Sequence, residues 1–210
     1  MECPVLTLSH ATLENRTIVF GGTTNGDIIL WDVSDIILSR KELDVRSLDP
    51  ISWHKGVHQS GINGMSVTTY TGRHNASIIV SGGDDQCLNV MVVGPDGALL
   101  QNVALPNAHT SAIRDVWADE DAVFSIGLDQ QIRIWRINTQ YDSHNIAGQQ
   151  NSRDIRELKL IEVACRYLQV LEPASLDVCT EQGDQGNMSY IIQVAGRGME
   201  VIYYEKTSVI

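Results

Sequence analysis

The sequence predicts an all-β chain, a β-propeller of about four antiparallel blades that is part of a larger or incomplete propeller. Three observations carry that reading. A hairpin with a polar turn recurs at Phe20–Trp31, Ser81–Met91 and Ser125–Trp135. A second element, His-x-x-x-Ile-x-x-apolar, opens two of the repeats at His58–Met65 and His109–Val116. The ends of the hairpins recur every few tens of residues, the period of architectures built by stacking one supersecondary unit on the next.

Taken in order, Val5 to Leu8 and Thr17 to Phe20 read as the first two strands of the first unit, and Gly26 to Trp31 as the arm that closes its hairpin. In each hairpin a strand ending in small residues meets a turn at Asn25, Asp85 or Asp129, and the returning strand reaches Trp31, Met91 or Trp135 six positions later. A fourth, degenerate copy runs through Ser175–Val178, Tyr190–Ala195, a glycine turn at Gly196–Gly198 and Met199–Tyr204, without its histidine. The hairpin ends at Trp31, Met91, Trp135 and Tyr203 are spaced by 60, 44 and 68 residues, against roughly 40 to 45 for a minimal blade. One propeller segment therefore spans 1–210, with blades near 4–50, 54–105, 107–137 and 168–206 and an insertion over 138–167. Asn138 to Asp154 reads as a loop, and Ile155 to Leu171 fits either a strand or a short helix.

Composition narrows the function classes. With 43% apolar and 20% charged residues in a chain of 210, the protein is an ordinary globular one that buries a sizeable core. Its apolar runs, such as Ile28–Trp31, are strand length, far below the roughly 18 residues of a membrane span. Met1-Glu2-Cys3-Pro4 places an acid where a secretory leader carries a base, so a soluble, cytoplasmic chain is expected. Cys3, Cys87, Cys165 and Cys179 form no CxxC pair and read as scattered buried thiols. A formal charge of −11, from 15 basic and 26 acidic side chains, repels polyanions over most of the surface.

Several constellations offer chemistry. His109, Ser125 and Asp129 supply the atoms of a hydrolase triad, but their positions are locked to the repeat, and repetition supplies no oxyanion site. No catalytic residue is assigned, and the chain reads as a binding scaffold without a small-molecule substrate. Gly21-Gly22 and Gly82-Gly83 do not sit in a phosphate-binding motif, and positive φ in hairpin turns explains them; no cofactor is expected. His54 and His58 stand four apart but lack the helix that would make this metal spacing, so no metal is expected. Asp119-Glu120-Asp121 reads as a solvated turn. Arg153, Arg156, Lys159 and Arg166 form a candidate patch for RNA or a protein partner, the alternative being a solvated face.

The opening His, the small-residue strand end, the turn Asp and the closing Trp, together with the literal Trp31-Asp32, make the chain resemble the WD-repeat family. The resemblance implies blades of four antiparallel strands packed radially. It also implies structural hydrogen-bond tetrads at His58, Ser81 and Asp85, where Met91 replaces the Trp, and at His109, Ser125, Asp129 and Trp135. Trp31, Asp32, Met91 and Tyr203 take the blade-closing strand positions. More narrowly, Val80–Asp85, Ala108-His109, Asp129-Gln130 leading to Trp135-Arg136, and Val194–Val201 resemble the C-terminal part of the WD-repeat subunits that partner tRNA 2′-O-methyltransferases. That likeness implies a noncatalytic subunit that binds the methyltransferase and helps present tRNA for ribose methylation at the anticodon wobble nucleotide. The competing reading is a general WD-repeat adaptor in signalling or ubiquitin-ligase assemblies. Because no spare strand precedes Val5 and six residues follow Tyr204, both ends look unfinished, and exposed terminal blades favour self-association.

Overall fold

A computed structural model describes residues 3–13, 16–39, 48–70, 76–120, 122–141, 155–182 and 188–206. Among the described residues, fourteen strands and one short helix follow one another. The first sheet is ordered β1 (Val5–Leu13), β2 (Arg16–Thr23), β3 (Ile28–Asp32) and β4 (Ser52–His54), with α1 (Ser34–Ser39) between its last two strands. The second is β5 (Ile62–Tyr70), β6 (Ala76–Gly83), β7 (Leu88–Val93) and β8 (Leu99–Leu105). The third is β9 (Ile113–Ala118), β10 (Ala122–Gly127), β11 (Gln131–Tyr141) and β12 (Ile155–Tyr167). The fourth pairs β13 (Leu171–Gln182) with β14 (Met188–Glu205). All pairings are antiparallel. The sheets are the four blades of a β-propeller, with β1, β5, β9 and β13 touching in succession at the inner side.

Burial follows position in the stack. Blade two is covered on both faces, so β6 and β7 are buried at every residue and read as unbroken apolar runs, Ala76–Gly83 and Leu88–Val93. Its outermost strand β8 has solvent on one side and alternates in exposure. Three apolar interfaces join consecutive blades. Phe20, Ile28 and Leu30 of blade one meet Ile62, Ile79 and Met91 of blade two. Ile78, Val80 and Leu88 of blade two meet Ile113, Val123 and Trp135 of blade three. Phe124, Ile132 and Ile134 of blade three meet Leu176, Tyr190 and Ile192 of blade four. Among the described residues no apolar cluster joins blade four to blade one.

Several elements have a place that the periodicity left open. Residues 155–167 are β12, the outer strand of blade three, paired with β11 along its length. Ser52–His54 likewise form the outer strand of blade one. β14 folds back on itself around Gly196–Gly198: the Lys206 N–H donates to the Met188 carbonyl at 3.0 Å, and Gly198 takes φ +120°. The helix α1 interrupts the all-β pattern. The four cysteines are free thiols, but only Cys87 is buried; Cys165 and Cys179 are exposed. Among the described residues, no helix is long and apolar enough to cross a membrane.

The glycine pairs are explained by contact, because none of Gly21, Gly22, Gly82 and Gly83 has positive φ. A Cβ on Gly22 would stand 2.9 Å from Ile62 Cγ2, and one on Gly82 would stand 2.9 Å from Ile113 Cβ. The isoleucines that open blades two and three thus sit against the penultimate residue, a glycine, of the preceding blade's second strand. The left-handed turn residues are Gly26, Gln86 and Gln130, with φ of 80°, 67° and 59°.

Candidate functional site

Those three turns anchor the next blade. The carbonyls of Gly26, Gln86 and Gln130 accept the N–H groups of His58, His109 and Leu168 at 2.9, 3.4 and 2.8 Å. Leu168, buried in the apolar cluster between blades three and four, therefore occupies the place of the histidine that the fourth repeat lacks.

In blade three the anchored histidine completes a buried chain. The Trp135 Nε1–H donates to Ser125 Oγ at 2.9 Å, Ser125 lies 2.8 Å from His109 Nε2, and His109 Nδ1 lies 3.0 Å from Asp129 Oδ1. A carboxylate only accepts, so Nδ1 carries the proton; burial holds the His109 pKa below its usual value against the pull of Asp129, which leaves Nε2 to accept from the Ser125 hydroxyl. Every donor in the chain Trp135, Ser125, His109, Asp129 then has an acceptor. Asp129 also takes the N–H groups of Thr110 and Gln131 at 3.0 and 3.2 Å. Burial pushes its carboxyl up, but His109 and those two N–H groups outweigh it, and the net shift is downward.

Blade two builds the same chain with its last member gone. His58 Nδ1 lies 2.9 Å from Asp85 Oδ1 and Nε2 lies 2.9 Å from Ser81 Oγ, and Met91 fills the space of the indole. Asp85 accepts from the Gln59 and Cys87 N–H groups at 2.8 and 3.1 Å. Its carboxyl is pushed up by burial and, more strongly in sum, down by the Gln59 N–H, His58 and the Cys87 N–H. On the same strand Asn89 is fully buried, and neither atom of its amide has a partner. In blade one Gly21 stands at the serine position, and a Cβ there would lie 2.8 Å from the Trp31 ring. Asp32 instead ties down the start of α1, accepting from the Ser34 N–H at 3.0 Å and from Arg16 Nε at 2.7 Å. Ser34 and then Arg16 hold the Asp32 carboxyl below its usual range.

The Ser125, His109, Asp129 spacing matches a hydrolase triad, but the chemistry does not follow from it. Ser125 has no exposed surface, and its oxygen already accepts from the Trp135 indole. His58, Asp85 and Cys87 place three potential metal-ligand atoms within 4.8 Å of one another. Asp85 is occupied by N–H groups, however, and burial followed by the charge of Asp85 pushes the Cys87 thiol up to about 11, away from the thiolate that binds metal.

Of the basic candidates, Lys159 and Arg166 have described side chains, and these two are not gathered at one point. Arg153 lies outside the described residues, as does the side chain of Arg156 on β12. Lys159 and Arg166 stand on the same face of β12, six ladder positions apart through Asn138 and Ile132, or roughly 20 Å at the rise of a strand. Arg166 is ion-paired with Glu200. Tyr203 lies on the returning arm of β14, 63% exposed, and donates to Ser189 Oγ at 2.9 Å.

Two interblade carboxylates carried no sequence signal. Asp115 on β9 accepts the Leu176 N–H of blade four at 2.9 Å, and burial raises its pKa. Asp119, in the run read as a solvated turn, accepts from the Tyr190 hydroxyl at 3.0 Å and from the Ala122 N–H at 2.7 Å. Both bonds join segments more than sixty residues apart in sequence, which local pattern cannot register.

No protein-family model and no curated protein matches the chain. Solved structures do match in fold. The computationally designed Ika4 protein aligns with TM-score 0.55 at 18% identity, covering 98% of this chain and 92% of that one. Sqt1 of Saccharomyces cerevisiae aligns with TM-score 0.54 at 13% identity, over 99% of this chain and 47% of that one. A chain of a humanized mutant of the Chaetomium thermophilum Polycomb Repressive Complex 2 aligns with TM-score 0.53 at 12% identity, over 90% of this chain and 43% of that one. The chain thus spans less than half of the last two. At these identities the shared feature is the β-propeller fold.

Proposed function

We propose that the chain is a noncatalytic WD-repeat scaffold, the partner subunit of a tRNA 2′-O-ribose methyltransferase that acts in the cytoplasm at the anticodon wobble nucleotide. The observation that carries the scaffold reading is the buried chain of Trp135, Ser125, His109 and Asp129 with its partial copy at Ser81, His58 and Asp85. Polar groups that could do chemistry are instead consumed in holding blades in register, which leaves function to the surface. The narrower partner rests on Val80–Asp85 and Val194–Val201, which resemble the WD-repeat subunit of that complex. The methyl donor and the catalytic groups belong to the partner, and the formal charge of −11 assigns most of the grip on tRNA to it as well.

Affinity purification of the tagged chain from cell extract, with mass spectrometry of bound proteins, tests this. Recovery of a tRNA ribose methyltransferase is the expected outcome, followed by loss of wobble ribose methylation in cells lacking the chain. A general adaptor is the second reading, favoured by the fold shared with a chain of the Polycomb complex; recovery of ligase or signalling subunits without the methyltransferase would establish it. Any tRNA binding by the purified chain should weaken steeply with salt, whereas a peptide interface need not.

A further inference from the structure

Of the three turns that fix one blade to the next, the first is chemically unlike the other two. Asn25 stands where Asp85 and Asp129 stand in blades two and three, and glycine follows it where glutamine follows them. Asp85 is held by His58 and by the Gln59 and Cys87 N–H groups, and Asp129 by His109 and by the Thr110 and Gln131 N–H groups. Asn25 is exposed, and its side-chain amide makes no hydrogen bond among the described residues. The sequence holds one other Asn-Gly pair, Asn63-Gly64, and there the amide is fastened. Asn63 Nδ2 donates to Asp84 Oδ1 at 2.7 Å and to the Ile113 carbonyl at 2.9 Å, while Gly64 is pressed against the backbone of Asp115 and Val116. Swinging that amide toward the Gly64 nitrogen would break both bonds.

We propose that Asn25-Gly26 is a site of spontaneous succinimide formation, and that the isoaspartate it yields loosens blade one from blade two. The Gly26 backbone nitrogen attacks the side-chain carbonyl carbon of Asn25 and closes a five-membered ring. The bond from that carbon to the amide nitrogen breaks, and the nitrogen leaves as ammonia with the proton that the Gly26 N–H gives up. Water then opens the ring at either carbonyl, leaving aspartate or isoaspartate, so one water is consumed for each ammonia released. Glycine favours the attack because no Cβ stands beside the nitrogen. The step costs one hydrogen bond, that of the Gly26 N–H to the Thr23 carbonyl at 3.2 Å. Its consequence follows from what the turn does. The Gly26 carbonyl accepts the His58 N–H at 2.9 Å, and Gly26 takes φ +80° where a Cβ would collide with the His58 carbonyl. Isoaspartate runs the main chain through the former side chain and adds one atom to a turn that is already tightly fitted. Aspartate adds charge but keeps the main chain, and it is the residue that blades two and three use.

Ageing the 210-residue chain in mildly alkaline buffer tests both pairs in one sample, with peptide mapping by mass spectrometry and labelling by a protein-isoaspartate methyltransferase as the readouts. Conversion at Asn25 should run several-fold faster than at Asn63 while the chain is folded, and the two rates should converge in urea. Equal rates in the folded chain, or an Asn25 that keeps its amide when folded and loses it in urea, would overturn the proposal. Asn25→Gln, whose attack would need a larger ring, should remove the signal at this site and leave that at Asn63. Hydrogen exchange followed by NMR reads the second step. The His58 amide should exchange several-fold faster in the isoaspartate form than in Asn25→Asp, which keeps the normal main chain and isolates the effect of charge. Equal exchange in the two would show that the turn accommodates the extra atom, and would overturn the loosening of blade one.

Discussion

Blades two and three carry the same buried chain of serine, histidine and aspartate, and differ at its end. In blade three Trp135 donates to Ser125 Oγ, so the hydroxyl has both a donor and an acceptor. In blade two Met91 packs in that space at 1% exposure, and Ser81 keeps only His58. The residue pairing with each serine across the ladder also differs, Arg133 beside Ser125 and Asn89 beside Ser81. Both neighbours leave buried atoms without partners, Asn89 both atoms of its amide and Arg133 its Nε alone, so Asn89 leaves more of its hydrogen-bonding capacity unmet. The tetrad is therefore a graded device. Its histidine and aspartate fix the loop to the turn in both blades, and its indole adds rigidity only where packing leaves room for a ring.

The largest effect should come from making blade three resemble blade two. Trp135→Met removes both the indole donor and most of a buried ring, and should lower unfolding free energy by about 2 to 4 kcal/mol; urea denaturation measures it, and a loss below about 1 kcal/mol would show the ring to be dispensable. Next come the paired serine variants. Ser125→Ala leaves two buried groups, Trp135 Nε1 and His109 Nε2, without partners, at about 2 to 4 kcal/mol. Ser81→Ala strands only His58 Nε2, at about 1 to 3 kcal/mol. Equal costs would break the comparison.

The smallest effect is one of pH. His109 titrates lower folded than unfolded because burial opposes its charge, so between those two values the unfolded chain holds more protons and stability rises with pH. The His109 contribution is complete above the unfolded value of about 6.5 and is lost as pH falls from there toward the folded value. Asp85 and Asp129 are depressed when folded, so their contribution is present above the unfolded carboxylate range and disappears only in stronger acid. Urea unfolding between pH 5 and 8 should therefore show a decline on the acid side that His109→Gln flattens.

The repeated hairpins were legible because each is local: small residues, a turn Asn or Asp and a closing Trp or Met at fixed offsets need no long-range knowledge. The tetrad residues followed from the likeness to WD repeats, and the distances place them in contact. The glycine pairs were legible as special but for a different reason, since it is Ile62 and Ile113 of the next blade that exclude a side chain there. Strand β12 was ambiguous because its sequence, Ile155–Tyr167, has no turn signal tying it to β11; a register of hydrogen bonds across a long connection decides it. Asp115 and Asp119 were invisible for the same reason.

The sequence by itself determined the antiparallel hairpins and the turn chemistry, because those depend on residues within a few positions of one another, whereas the buried histidine chains join residues 16 to 27 positions apart. Tertiary structure alone decided which faces meet, which strand completes blade three, and which carboxylates bridge blades. Those outcomes depend on the stacking of whole sheets, where a face becomes core only once its neighbour is in place.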